Sequence, residues 1–213
     1  DLIRLLTDSL LQADHMDGET AREFLNDIGD EADRLTRITE KLLTLTRLDT
    51  APAAEDVPVD VGAVVERVEH MLSPLARAVE VSLELKLQPG CVVLATEDDL
   101  YQIAFNLMEN AVKYNLPGGR VLVTLTADGG RVVLRVEDTG VGIPEADLPK
   151  IFDRFYRVDK ARSRAAGGTG LGLSIVRDTV LQHGGAVTAR RREPEGTCFE
   201  VSFAQWNGEE VGR

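Results

Sequence analysis

The chain is short of cysteine, of aromatic residues and of positive charge, and it lacks any long apolar run. Only two of its 213 residues are cysteines, Cys91 and Cys198. They lie far apart in strand-like stretches, with no paired-ligand spacing. They are therefore expected to pack in sheets rather than form a disulfide or hold a metal, which fits a reducing compartment. No segment approaches the roughly 20 apolar residues of a membrane span, and none has the pattern of a secretory leader. A net charge of −12 leaves no basic surface for neutralising phosphates, which speaks against a nucleic-acid binder. Aromatics make up 5% of the chain, yet Phe152, Phe155 and Tyr156 fall within a few positions of one another.

What is present divides into two halves. A hydrophobic share of 43% is ordinary for a chain that buries a core. Residues 2–49 carry the helical period. Leu25, Ile28, Ala32, Leu35, Ile38, Leu42, Leu45 and Leu48 step by three or four, and charged residues fill the other faces. A shorter apolar helix, Leu2 to Leu11, precedes them across the turn at residues 14–18. Residues 1–50 are thus expected to form a helical hairpin whose stripe needs a partner. A second copy would complete a four-helix bundle and a homodimer. Asp1 already reads as mid-helix, so the sequence is expected to belong to a longer protein. Residues 51–57, with Pro52 and then Pro58, break the pattern and read as a linker and hinge.

Residues 58–213 alternate helix and strand. Asp60 is placed to cap a helix running to about Ala78. Strands are expected at Val79–Leu87 and Cys91–Ala95, and a helix from Glu97 to Asn115. A hairpin turns at Asp128-Gly-Gly, a helix follows Gly168 and ends near His183, and two strands close the chain. The fold class is α+β: an α/β sandwich with a mixed sheet covered by helices on one face.

Three blocks in this half carry chemistry. In Asn106 to Tyr114, Asn106 and Asn110 are four apart and share a helix face, with Lys113 close by. An amide oxygen can ligate a hard cation such as magnesium, and a lysine can meet phosphates. Read alone, the spacing fits a solvated helix face better. Asp138-Thr-Gly-Val-Gly142 follows a strand. Gly140 and Gly142 permit close backbone approach, and Asp138 could accept a bond from an exocyclic amino group. A tight loop with an N-capping aspartate is the plainer alternative. Gly167-Gly-Thr-Gly-Leu-Gly172 opens a helix, where backbone N–H groups can hold phosphate. It lacks the Lys-Ser/Thr of a P-loop and the surrounding βαβ unit of a dinucleotide site. The preceding loop, with Lys160, Arg162 and Arg164, has the composition of a lid that orders around an anion. Phe152, Phe155 and Tyr156 would anchor that lid at its sheet end.

The order N-x-x-x-N-A-x-K-Y, D-x-G-x-G-I, F-x-x-F, G-T-G-L-G-L resembles the ATP-binding catalytic part of sensor histidine kinases, which share their nucleotide fold with gyrase B, the Hsp90 chaperones and MutL. The resemblance covers about residues 59–204. Residues 1–50 resemble that family's dimerisation and phosphotransfer hairpin. It implies ATP and Mg2+ as ligands, with Asn106 on the metal and Asn110 and Lys113 on the phosphates. It implies Tyr114 near the adenine and Asp138 on its amino group. It further implies a pocket shaped by Gly140, Gly142, Gly168, Thr169, Gly170, Leu171 and Gly172. Arg157, and second Arg154, would stabilise charge on the γ-phosphate. A response-regulator receiver domain is the implied partner, and a cytoplasmic location, with the parent protein anchored in the membrane, the implied setting. No nucleic acid and no membrane contact by this chain are expected.

One departure is large. The family's H-E/D-x-x-T/N-P acceptor segment is missing, so the acceptor is expected upstream of residue 1. His15 falls in the hairpin turn, and His70 is followed by Met-Leu-Ser-Pro. His183 ends a helix, where it would complement the dipole. Two other functions compete with a phosphotransferase: a gyrase- or Hsp90-like ATPase, and a dimeric scaffold that binds nucleotide only. The first needs a general-base glutamate where this chain has Asn106.

Overall fold

The computed structural model describes residues 55–158 and 169–208, with the helical residues Thr20, Arg22, Glu23, Leu25, Ile28 and Gly29. The hairpin expected at 1–50 otherwise lies outside the described residues, as do residues 51–54 of the linker, Gly167, Gly168 and the basic residues Lys160, Arg162 and Arg164.

The chain enters as strand β1 (Val57–Asp60) and passes directly into helix α1 (Val61–Ala78). Asp60 ends the strand and caps the helix, its carboxylate accepting from the Gly62 N–H at 2.8 Å. Val61, Val64, Val65, Val68, Leu72 and Ala76 then form one buried stripe. Strand β2 (Ser82–Leu87) follows, then β3 (Val92–Ala95), helix α2 (Glu97–Lys113), the hairpin β4 (Arg120–Asp128) and β5 (Arg131–Asp138), helix α3 (Gly172–Gln182), and strands β6 (Ala186–Arg191) and β7 (Thr197–Ala204).

Five strands form a mixed sheet in the order β2-β4-β5-β7-β6. Only β2 and β4 run parallel, and the remaining neighbours are antiparallel. The parallel pair requires a crossover, and β3 with α2 supplies it. The β4–β5 turn places Gly129 and Gly130 at φ 57° and 74°, the two positive values of a type I′ hairpin. Val121, Val123, Leu125, Val132, Leu134, Val136, Phe199, Val201 and Phe203 are buried on one sheet face. The alternating positions include the cross-strand pair Arg135 and Glu200, 2.6 Å apart and partly exposed. The result is an α+β fold with helices packed on the apolar face of a mixed sheet.

The structure departs most from the sequence reading at two places. The strand expected from Val79 starts at Ser82, because Glu80 turns the chain at φ 58°. Strand β1 was not expected at all. Val57, the last residue of the expected linker, already faces Ala95 of β3 across an antiparallel pair. A four-residue strand containing Pro58 carries no alternation to read, and proline is tolerated only where no ladder N–H is needed. Both cysteines are buried free thiols, and burial raises the pKa of each.

Candidate functional site

Helix α2 is held from both ends. Thr96 caps it, its hydroxyl accepting from the Asp99 N–H at 3.1 Å. Glu97, Asp98 and Asp99 occupy the first turn, where negative charge suits the dipole. Leu100, Ile103, Ala104, Leu107, Met108, Ala111 and Val112 are buried, packing the helix between α1 and α3. Truncating a fully buried residue such as Leu107 would cost about 2–5 kcal/mol. Asn106 is buried among them, with 4% exposure. Its Nδ2 donates to the Gln102 carbonyl at 2.8 Å. That bond fixes the sense of the amide and turns the carbonyl oxygen away from Gln102. A fixed, buried amide oxygen fits the demand of a hard cation. Asn110 and Lys113 are half-buried further along. The Lys113 ammonium sits 2.7 Å from Oε1 of Glu109. Tyr114 caps the helix, and its N–H donates to the Asn110 carbonyl at 3.0 Å.

Asp138 ends β5 and is 6% exposed. Its Oδ1 accepts from the Gly140 N–H at 2.8 Å and from the Thr197 N–H at 3.2 Å. Among the described residues Oδ2 accepts no hydrogen bond, which leaves that oxygen available to an amino group. Burial pushes the carboxyl above its usual range, against the two backbone bonds and the charge of Arg192. The loop after Asp138 presses on the end of α2. The Val141 N–H donates to the Tyr114 carbonyl at 3.1 Å, and a Cβ on Gly140 would lie 2.3 Å from that same oxygen. Thr139 adds a network with Asn115 and the backbone of Arg120. The asparagine and aspartate blocks, separated by strands in sequence, are therefore joined backbone to backbone.

The glycine-rich block is joined to the aromatic block. The Phe155 N–H donates to the Gly170 carbonyl at 2.8 Å. Gly170 has φ 72°, and a Cβ there would lie 2.8 Å from the Phe155 carbonyl carbon. Phe155 has φ 65° and is 61% exposed. Phe152 instead packs edge-on against Phe199 of the sheet, 6.4 Å between ring centroids. The Tyr156 hydroxyl donates to Asp147 at 2.6 Å. Thr169 accepts from the Leu171 N–H at 3.3 Å, and Leu171 is fully buried. Helix α3 then starts at Gly172 with no side-chain cap, unlike α1 and α2, and with no acid in its first turn, unlike α2. Its first N–H groups suit an anion. Arg154 pairs with Asp178 of α3 at 3.0 Å, and Arg157 is half-buried.

Gly196 and Thr197 were missed in sequence. Thr197 is 4% exposed and is bonded to Asp138 across 59 positions. Gly196, at φ 109°, lies directly against the Asp138 carbonyl. The available signal was a Gly-Thr pair opening the last strand.

This geometry has known counterparts. The family described as histidine kinase-, DNA gyrase B- and HSP90-like ATPase matches residues 95–206. The sensor-like histidine kinase SenX3 of Mycolicibacterium smegmatis is 34% identical over 203 residues, 95% of this chain and 53% of that protein. The chain thus spans about half the length of this curated relative. The crystal structure of full-length ShkA in complex with AMPPNP aligns with a TM-score of 0.73 at 30% identity, covering 96% of this chain and 43% of that one. The histidine kinase ThkA, in complex with the response regulator protein TrrA, shares the fold with a TM-score of 0.78 at 22% identity, covering 97% of this chain and 58% of that one. The chain belongs to the histidine kinase-, DNA gyrase B- and HSP90-like ATPase family, and within it to the sensor histidine kinases.

Proposed function

We propose that residues 58–213 bind Mg-ATP and donate its γ-phosphoryl group to a histidine, for relay to an aspartate of a response regulator. The observation that carries this reading is the setting of residue 106. A general base must stand where a water would be activated. Position 106 is an amide whose nitrogen is bonded to its own helix, and it takes no proton. The nearest acid on the helix, Glu109, is paired with Lys113 at 2.7 Å. The pocket is therefore suited to holding a triphosphate for donation rather than hydrolysing it.

The parts are assigned as follows. Asp138 Oδ2 receives the adenine amino group, with Tyr114 packing near the base. Asn110 and Lys113 meet phosphates, and the amide oxygen of Asn106 is the protein ligand for magnesium. When bound, the cation would neutralise phosphate charge and orient the β- and γ-oxygens. Gly140, Gly142, Gly168, Thr169, Gly170, Leu171 and Gly172 shape the phosphate end, with the uncapped start of α3 among them. Arg157, and second Arg154, stabilise charge on the transferring group. An imidazole nitrogen attacks the γ-phosphorus, the bond to the β–γ bridging oxygen breaks, and ADP leaves. Residues 1–50 form the dimerising hairpin and 51–57 the linker. The setting is cytoplasmic, on a membrane-anchored parent. Among the described residues no helix is long and apolar enough to cross a membrane. The partner assignment is supported by ThkA, a relative of this fold whose structure holds a response regulator.

Calorimetry with Mg-ATP and Mg-GTP, run beside a free-phosphate assay, tests this. The expected result is ATP binding at least a hundredfold tighter than GTP, with phosphate release close to background. A longer chain that includes an H-E/D-x-x-T/N-P segment should acquire acid-labile label from γ-labelled ATP. Rapid phosphate release with no labelled protein would overturn the assignment in favour of an ATPase.

A further inference from the structure

His183 follows the last turn of α3 and has a side chain only 2% exposed. Its Nε2 lies 2.9 Å from Oδ2 of Asp99, in the first turn of α2. Its Nδ1 lies 3.1 Å from Oδ1 of Asp56, the residue immediately before β1. The Asp99 contact is a hydrogen bond. The Asp56 contact is off the ring N–H direction and acts as an ion pair. A ring with a carboxylate at each nitrogen is fully matched only when both nitrogens carry protons. The hydrogen bond to Asp99 raises the His183 pKa against the cost of burial, and Asp56 adds to it. The same bond lowers that of Asp99.

We propose that His183 is a positioning residue that fastens the inter-domain linker to the nucleotide-binding helix. This takes residues 51–57 as the linker of the proposed kinase. Asp56 belongs to that linker, and Asp99 opens the helix bearing Asn106 and Asn110. The clasp therefore sets where the linker leaves the ATP-binding domain relative to the residues assigned to the triphosphate. In-line transfer requires reacting atoms about 3–3.5 Å apart, so a loosened clasp lowers the transfer rate and leaves ATP affinity alone.

The charged groups acting on the ring are Asp99 from α2 and Asp56 from the segment before β1. On its own helix, Arg177 and Asp178 are turned to Asp153 and Arg154. The sign of the pH dependence follows. His183 is raised from 6.5, so its contribution is complete below that value and is lost as pH rises through the folded value. Asp99 is lowered from 3.8, so its contribution is present above that value and is lost as pH falls through the folded one. The clasp is whole in the window between and opens on the alkaline side.

The test uses the 213-residue chain, with Asp56→Asn as a mild variant because Asp56 is 42% exposed. Imidazole resonances are titrated by NMR, amide exchange is read at residues 55–57, and ATP affinity is measured by calorimetry. His183 is expected to titrate above the ordinary histidine value and to move down in Asp56→Asn. Exchange at 55–57 should rise at least tenfold, with ATP affinity unchanged within twofold. In the longer, acceptor-bearing protein, Asp56→Asn should lower kcat for autophosphorylation several-fold at constant KM for ATP. A His183 titrating at or below the ordinary value, or unaltered exchange at 55–57, overturns the clasp. Loss of ATP affinity in Asp56→Asn also overturns it, by showing that the cluster serves the pocket. Absence of ATP binding by the unaltered chain would instead sink the kinase assignment, with the titration still readable.

Discussion

Gly196 and Asp138 are in backbone contact: a Cβ on Gly196 would lie 1.9 Å from the Asp138 carbonyl oxygen. The next N–H, of Thr197, reaches the Asp138 carboxylate. The end of β5 and the start of β7 thus close on each other only because residue 196 has no side chain. Gly196→Ala adds a backbone clash to a φ of 109°, outside the range of L-residues. It should cost about 3 kcal/mol or more and remove ATP binding. Gly129→Ala is the control. Its φ of 57° is also positive, but nothing lies within 4 Å of the added carbon, so about 1–2 kcal/mol is expected. Thermal unfolding of both variants checks the contrast. Equal losses would show that strain, and not the contact, governs position 196.

In the proposed pocket, Asp138 trades stability for recognition of the base. Burial raises its pKa, so the folded chain binds this proton more tightly than the unfolded one. Its contribution is then unfavourable above the raised value and is relieved as pH falls through it. Asp138→Asn retains an oxygen for the Gly140 and Thr197 N–H groups. It places a donor where Oδ2 is proposed to receive the adenine amino group. ATP affinity should fall about a hundredfold, roughly 2.7 kcal/mol, while the nucleotide-free chain melts higher at neutral pH. Calorimetry and thermal scans between pH 5 and 8 read both effects. A lower melting temperature with intact ATP affinity would contradict this account of Asp138.

Much of this was legible along the chain. The extent of α1, the cap at Asp60 and the Gly-Gly turn are local, and local rules place them. The face shared by Asn106 and Asn110 follows from helix periodicity alone. The rest depends on closures between distant segments. Thr197 meets Asp138 across 59 positions and His183 meets Asp99 across 84, and no periodicity announces either pairing. Strand β1 escaped because Pro58 within a linker-like composition hides a pairing that only β3 reveals. His183 was expected only to complement a helix dipole, and its two carboxylate partners come from other segments.

Asn106→Ala should separate the cation from the nucleotide. The substitution loses the Nδ2 bond to Gln102, worth about 1 kcal/mol. It gains about 0.6 kcal/mol of helix propensity, so the fold should be nearly indifferent. Affinity for Mg-ATP should drop at least tenfold, or about 1.4 kcal/mol. Affinity for ATP in excess chelator should change less than about threefold. Equal losses in both conditions would move Asn106 from the metal to the nucleotide.

Phe155 and Gly170 test the contact that joins the aromatic block to the glycine-rich block. Both have positive φ, and the Phe155 N–H is bonded to the Gly170 carbonyl. Gly170→Ala places a carbon 2.8 Å from the Phe155 backbone, so the two backbone segments must separate. A left-handed alanine costs about 1–2 kcal/mol on its own, and the contact adds to it. Phe155→Gly acts the other way. It removes a left-handed cost at 155 and gives up little packing, because that side chain is largely exposed. It should leave stability unchanged or raise it by up to about 1 kcal/mol. If this contact shapes the phosphate end of the proposed pocket, Gly170→Ala should speed nucleotide release in stopped flow at least tenfold. Phe155→Gly in the same chain should recover part of that loss by letting the facing backbone yield. An unchanged release rate in Gly170→Ala would detach this contact from the nucleotide site.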